Sequence, residues 1–143
     1  IVGSGELESQ LKQLVSDLDL NESVLFPGRF ENKELLAWYL ISGVFVLPSI
    51  SETFGAVINE ALLAGNYVLA SQLTGGSSLL IENVNGNIFN PYNVPEMANI
   101  ILKTIRNTEL FEDLGKAKTS RMLEKYNTTF NRFESDFNSN KKR

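Results

Sequence analysis

Two glutamates, Glu52 and Glu60, are the residues whose type and spacing best suggest chemistry. They lie eight residues apart, with Phe54 and Gly55 between them. An apolar run precedes them and a helical pattern follows, so we predict that a buried strand here gives way to a helix. Open α/β sheets bind ligands at such points, outside the carboxyl ends of the strands and at a helix N-terminus. The sequence therefore predicts an enzyme's ligand site.

The residues between the glutamates are suited to bind an anion through the backbone. Gly55 has no Cβ, which lets a ligand approach the backbone closely. The N–H groups of Gly55, Ala56 and Val57 are expected to open the helix without intrahelical acceptors, which suits a diphosphate. Glu52 and Glu60 are then able to accept hydrogen bonds from hydroxyl groups at the two ends of the ligand. A diphosphate in the middle with hydroxyl groups on both sides describes a nucleotide-sugar. Either glutamate alone is more often a solvated surface residue, but the combination favours a site.

Composition narrows the chemistry. The chain of 143 residues contains neither cysteine nor histidine. This excludes disulfides, thiolate metal sites, a cysteine nucleophile and a histidine base within the chain. The net charge of −4 divides into −9 for residues 1–115 and +5 for residues 116–143. The basic end suggests attraction to an anionic partner or an acidic surface, unless it is simply a solvated terminal helix.

Apolar segments alternate with helical patterns along most of the chain. Strands are predicted at 1–2, 24–26, 44–47, 67–70 and 88–89, and helices at 6–18, 32–40, 56–64, 94–106 and 109–126. The 44–47 run is expected to be a central strand, and the pair at 75–76 a loop. The alternation predicts an α/β fold, a Rossmann-like doubly wound parallel sheet. We expect one domain over 1–126, truncated at its N-terminus, and an amphipathic helix with a basic tail over 127–143.

The terminal segment carries an apolar stripe of Phe130, Phe133 and Phe137. Such a stripe has to pack against the domain's own surface, a second domain or a membrane interface. No run reaches the roughly 20 apolar residues of a membrane span, and nothing resembles a signal peptide. We therefore expect a cytoplasmic protein, with peripheral contact at the inner face of the membrane as an alternative left open.

The segment around the glutamates closely resembles the donor-site signature of the retaining GT-B glycosyltransferases of the glycosyltransferase-4, or group 1, type. That signature has two glutamates separated by seven residues, which Glu52 and Glu60 match. The similarity covers roughly residues 1–106. It is carried by these motifs: Phe45-Val-Leu-Pro-Ser49, Ser51-Glu-Thr-Phe-Gly55, Glu60-Ala61, Ala64-Gly65, Gly3-Ser-Gly5, Val24-Leu-Phe-Pro-Gly28, Gly75-Gly76 and Asn85-Gly86.

The resemblance implies roles for individual residues. Glu60 is expected to hydrogen-bond the ribose hydroxyls of the donor nucleotide. Glu52, the catalytic glutamate of the signature, is expected to contact donor-sugar hydroxyls near the reacting carbon. The backbone of Phe54, Gly55 and Ala56 is expected to lie against sugar and phosphate.

Further positions are implied less specifically. Arg29 and Phe30 stand where this fold usually holds the base, although Arg29 is more often a solvated turn residue. Gly3 and Gly5 correspond to the loop that lines the phosphate side of the donor site. A plain tight turn without a ligand is an equal alternative for this pair of glycines.

Two family features are missing. The Arg and Lys that neutralise the diphosphate normally precede the point where this sequence begins. A glutamate that often follows the glycine pair is replaced by serine and leucine at 77–80.

The resemblance implies the C-terminal, donor-binding half of a GT-B fold in an enzyme that transfers a glycosyl group to an acceptor hydroxyl. We expect a nucleotide-sugar as substrate, no cofactor, no metal and no nucleic-acid partner. The expected partner is an N-terminal acceptor domain. Without that domain we expect the 143-residue chain to be inactive. We also expect it to expose the stripe of Phe130, Phe133 and Phe137, or to form a homodimer through that stripe. A nucleotide-sugar epimerase of GT-B type and a non-catalytic nucleotide-binding domain are the alternatives.

Overall fold

A computed structural model describes residues 1–117. They form two compact units, Ile1–Ala37 and a second unit that begins at Trp38. The elements, in chain order, are α1 (Glu8–Asp17), α2 (Asn32–Ile41), β1 (Val44–Leu47), α3 (Ala56–Leu63), β2 (Tyr67–Ser71), a 3₁₀ helix (Gly75–Leu79), β3 (Gly86–Phe89), α4 (Val94–Ile105) and α5 (Thr108–Ala117).

The second unit contains a parallel sheet in the order β1-β2-β3. Val44 lies opposite Tyr67 in the β1–β2 pair, and Val68 lies opposite Gly86 in the β2–β3 pair. Every residue of β2 is buried, as expected for a parallel strand with a neighbour on each side. The carboxyl ends of all three strands therefore lie at one edge of the sheet.

Helices cover both faces of this sheet. On one face, Tyr67, Leu69 and Phe89 form a core cluster. The partly buried residues packed against it are Val44, Val46, Met97, Ile100, Ile101 and Leu110. Successive strand residues point to opposite faces, which leaves Val68 and Ala70 for the other side. There α3 packs on β2 and buries Ile58 and Ala61. This arrangement confirms the predicted α/β, doubly wound class.

Local sequence signals define the helix that carries Glu60. Helix α3 begins directly after Gly55, whose φ of +62° lies in the left-handed region that glycine tolerates best. It ends at Leu63, and Gly65, with φ of +77°, takes the predicted position just past the helix. The observed helix matches the predicted span of 56–64 to within one residue.

Three predicted features differ from the structure. Residues 24–26 form no strand ladder, and Leu25 is 64% exposed. Instead, Gly28 makes a single parallel bridge to Val2. Among the described residues β1 pairs only with β2, so β2 is the central strand and β1 is half-buried. The predicted loop at 75–76 is the start of the 3₁₀ helix.

The end of the last predicted helix, the domain boundary at 126, and the stripe of Phe130, Phe133 and Phe137 lie outside the described residues. Within 1–117, no helix combines the length and the apolar character needed to cross a bilayer.

Candidate functional site

Two loops meet at the carboxyl edge of the sheet. The β1–α3 loop comprises residues 48–55, and the β2–β3 loop comprises residues 72–85. Because β1 and β2 are parallel neighbours, both loops leave the sheet on the same side. Glu52 and Thr74 form a parallel bridge, and the Gly75 N–H donates to the Glu52 carbonyl at 2.9 Å. Backbone hydrogen bonding therefore joins the loop that carries Glu52 to its neighbour.

Glycines allow the backbones of these two loops to pack so closely that no side chain fits between them. A Cβ on Gly55 would lie 2.8 Å from the Gly76 nitrogen, and one on Gly76 would lie 2.9 Å from the Gly55 oxygen. A Cβ on Gly75 would overlap the Thr53 carbonyl. Gly55 itself is buried. The sequence suggested that a ligand approaches the backbone of Gly55 closely. In the folded chain it is the β2–β3 loop that makes this close approach.

The Glu52 carboxylate folds back onto the start of α3. Its Oε1 accepts hydrogen bonds from the N–H of Phe54 at 3.2 Å and of Gly55 at 3.1 Å. A negative charge at this place is favoured by the helix dipole. One of the three N–H groups predicted to receive a diphosphate, that of Gly55, is therefore already engaged. The N–H groups of Ala56 and Val57 remain at the helix start, where an α-helix supplies no acceptor.

Glu60 lies on the exposed side of α3, and a tyrosine contacts it. The hydroxyl of Tyr39 donates to Oε2 of Glu60 at 3.3 Å. No described residue donates a hydrogen bond to Oε1 of Glu60. Tyr39 falls within the helix predicted at 32–40, but the sequence did not single it out. A buried phenol generally needs a partner, but the 21-residue separation hides this partner from sequence reasoning.

The environment of Tyr39 holds its hydroxyl in the protonated state. The residue is 6% exposed, and its ring meets Phe45 of β1 edge-on, with 5.4 Å between centroids and 69° between planes. Burial, and then the charge of Glu60, raise the pKa of Tyr39 to about 12. The hydroxyl therefore remains a hydrogen-bond donor to Glu60 throughout the neutral pH range.

The raised pKa predicts a specific loss of stability in alkali. The folded protein holds the Tyr39 proton more tightly than the unfolded chain, whose tyrosine has a pKa of 10.0. The resulting stabilisation is complete below pH 10 and is lost as the pH rises through about 12. Urea midpoints at pH 9 and pH 11.5 should therefore differ less for Tyr39→Phe than for the wild type. An equal pH dependence in the two proteins would contradict this assignment.

The remaining predicted residues of the second unit lie beside Glu52. The Phe54 side chain is 84% exposed, and Ala56 is also exposed. Thr74, which bridges to Glu52, is 2% exposed, and its Oγ1 has no hydrogen-bond partner within the described part of the chain. An exposed aromatic ring next to a helix start is accessible to a ligand. Thr74 was not anticipated from the sequence.

The other four predicted residues lie in the first unit. Gly3 has φ of +127° and donates from its N–H to the Gly28 carbonyl at 2.8 Å. The Gly5 carbonyl accepts from the N–H of Glu8 at 3.1 Å, at the start of α1. Gly3 and Gly5 also line a hollow of about 260 Å³ together with Leu7, Leu11 and Phe26.

Arg29 forms an ion pair with Glu31, with 2.9 Å between Nη2 and Oε1, and its side chain is 72% exposed. Phe30 is half-buried. Within this unit Gly5 belongs to the turn that opens α1, Gly3 is bonded across to Gly28, and Arg29 is an exposed ion-pair residue. The roles of these four residues toward a donor remain predictions.

Comparison with known sequences decides the family. The sequence profile described as "Glycosyl transferases group 1" matches residues 1–121. The chain belongs to this family. It is 34% identical over 127 residues to an uncharacterised glycosyltransferase from Haemophilus influenzae, an alignment that covers 88% of this chain and 35% of that protein.

Two solved structures resemble this group 1 chain over nearly its whole length. Sucrose-phosphate synthase from Thermosynechococcus elongatus matches with a TM-score of 0.69 and 25% identity, over 96% of this chain and 38% of that one. HepE from Anabaena, in complex with UDP-glucose, matches with a TM-score of 0.68 and 27% identity, over 97% and 40%. The likeness confirms the predicted Rossmann-like fold of GT-B type. The chain spans less than half of the proteins it matches.

Within this group 1 fold, the structure brings five of the nine predicted residues together. Glu52, Phe54, Gly55 and Ala56 are consecutive or nearly so at the start of α3, and Glu60 follows in the same helix. No group of three acidic side chains that would hold a metal ion occurs in residues 1–117. The roles of these residues toward a donor, and the expectation of metal-free chemistry, remain predictions.

Proposed function

We propose that this chain is the donor-binding domain of a retaining glycosyltransferase that uses a nucleoside-diphosphate sugar. In the proposed complex, Glu60 binds the ribose hydroxyls. The start of α3 receives the diphosphate, and Glu52 lies at the sugar, near the bond that breaks. The complete enzyme transfers the sugar to an acceptor hydroxyl supplied from outside the described residues, and it needs no metal ion.

One observation carries the proposal: both glutamates belong to one loop and helix at the carboxyl edge of the parallel sheet. This is the edge where open α/β sheets bind their ligands. Glu60 is the fifth residue of α3 and Glu52 precedes the helix by four residues, so acids lie on both sides of the helix start. The UDP-glucose bound to HepE, a protein of similar fold, supports a ligand with a ribose, a diphosphate and a sugar.

The chemistry assigned to this edge is stabilisation of a leaving diphosphate. As the anomeric C–O bond breaks, negative charge grows on the phosphate oxygens. The N–H groups at the start of α3 and the helix dipole favour that charge without a metal ion. Because the Glu52 carboxylate already accepts from the N–H groups of Phe54 and Gly55, the phosphate would contact the groups that follow, at Ala56 and Val57.

Donor binding by the 143-residue chain tests the proposal. Saturation-transfer NMR with UDP-, GDP- and ADP-sugars should show binding of at least one of them. Glu60→Ala should weaken that binding about tenfold or more, because hydrogen bonds to a charged group contribute roughly 1.5–3 kcal/mol.

Glu96→Ala provides the matched control, since it removes an exposed glutamate from α4 rather than from the site. It should bind the donor like the wild type. Absence of binding by every nucleotide-sugar would overturn the proposed function. Equal binding by the wild type and Glu60→Ala would overturn the ribose role of Glu60.

A further inference from the structure

Tyr39 hydrogen-bonds to Glu60 but has no role in the proposed function. Tyr39 lies in the last turn of α2 and Glu60 in α3, and both residues belong to the second unit. The tyrosine ring is almost completely buried and is held edge-on against Phe45 in β1. Its hydroxyl is therefore presented from a fixed position in the packed interior.

Glu60, by contrast, is an exposed side chain with three rotatable bonds. A glutamate of this kind samples several rotamers in solution, and ordering it on ligand binding costs free energy. The hydroxyl of Tyr39 holds Oε2 at 3.3 Å, which removes part of that freedom in advance. A carboxylate has about four acceptor sites on its two oxygens. One donated hydrogen bond therefore leaves sufficient capacity for two ligand hydroxyls.

We propose that Tyr39 is a positioning residue for the donor site, whose buried hydroxyl holds Glu60 in the orientation that accepts the ribose hydroxyls. This inference rests on the proposed function of Glu60. Tyr39 does not contact the ligand in this scheme and acts only through the carboxylate. Its hydroxyl should consequently matter for nucleotides that carry ribose hydroxyls and not for analogues that lack them.

The test compares Tyr39→Phe with the wild type, using UDP, GDP and ADP and the 2′,3′-dideoxy analogue of each. For the nucleotide that binds, Tyr39→Phe should raise the Kd about 2- to 10-fold, which corresponds to the cost of ordering one flexible side chain. The Kd of the dideoxy analogue should not change. Tyr39→Phe combined with Glu60→Ala should bind no more weakly than Glu60→Ala alone, because both changes act on one contact.

Tyr67→Phe is the matched control. Tyr67 is also buried and also donates from its hydroxyl, but to Asn87 in β3. Tyr67→Phe should leave the Kd of the nucleotide and the Kd of its dideoxy analogue unchanged. If Tyr39→Phe weakened the ribose and dideoxy nucleotides equally, the hydroxyl would have a structural role and the inference would be wrong.

The failure of the proposed function gives a different result. If no nucleotide bound to the wild type, or if the wild type did not distinguish ribose from dideoxyribose, the ribose role of Glu60 would fail, and this inference with it. If the wild type distinguished them, Glu60→Ala abolished the distinction and Tyr39→Phe preserved the wild-type Kd, only the positioning role would be overturned.

Discussion

Replacing Gly75 with alanine is expected to destabilise the second unit by about 3 kcal/mol, the upper range for inserting a methyl group where there is no space. The added Cβ would overlap the Thr53 carbonyl, which is backbone and cannot rotate away. Relief requires the β1–α3 and β2–β3 loops to separate. That separation breaks the hydrogen bond from the Gly75 N–H to the Glu52 carbonyl.

Urea unfolding followed by circular dichroism measures this effect as a lower midpoint at an unchanged slope. Ser78→Ala is the control, because Ser78 is exposed in the same 3₁₀ helix and makes only a long hydrogen bond, 3.5 Å, to the Gly75 carbonyl. It should change the free energy of unfolding by less than about 0.5 kcal/mol. A Gly75→Ala protein that unfolds at the wild-type urea concentration would show that the two loops are not in close contact.

Under the proposed function, Glu52→Gln is expected to reduce donor turnover by the complete protein about 100-fold or more, the usual effect of removing one electrostatic contact at a reacting centre. The amide oxygen of glutamine is still able to accept from the N–H groups of Phe54 and Gly55, so the loop should keep its conformation. The Kd of the nucleoside diphosphate should stay within about twofold, because the proposed role of Glu52 is at the sugar.

Donor hydrolysis, in which water replaces the acceptor hydroxyl, provides a rate that does not depend on which acceptor the enzyme uses. Glu96→Gln, at an exposed position of α4, should retain the wild-type rate. Glu52→Ala should in addition reduce the protection of the Phe54 and Gly55 amides against hydrogen exchange, since both donate to the lost carboxylate. Wild-type turnover by Glu52→Gln would remove Glu52 from the reacting centre.

The elements that carry the site could be predicted because their signals are local. The apolar run at Val44–Leu47 and the run that begins at Tyr67 both form parallel strands. Helix α3 lies between two glycines with positive φ, Gly55 and Gly65. Prediction failed where strand pairing depends on which partner is present. Among residues 1–117, the apolar residues at 24–26 form no ladder, and β2 rather than β1 has a neighbour on each side.

The site itself could be predicted in part. The spacing of Glu52 and Glu60 correctly placed one before the helix and the other inside it. The orientation of each carboxylate could not be predicted, because it depends on groups that contact it only in the folded chain. Glu52 turns to the backbone of its own loop, and Glu60 meets Tyr39 from another helix. Gly55 was predicted as a point of close ligand approach, and that role remains a prediction, because the atoms that approach its backbone in the folded chain are those of Gly76.

The close packing of Gly55, Gly75 and Gly76 has a consequence for engineering. The β1–α3 and β2–β3 loops have complementary backbones, and each leaves the other no room for a side chain. Grafting one loop from a relative of different donor specificity would therefore bring unmatched backbone or side-chain atoms into this contact. Recombination between relatives should succeed only when residues 48–55 and 72–80 are transplanted as a set from the same parent.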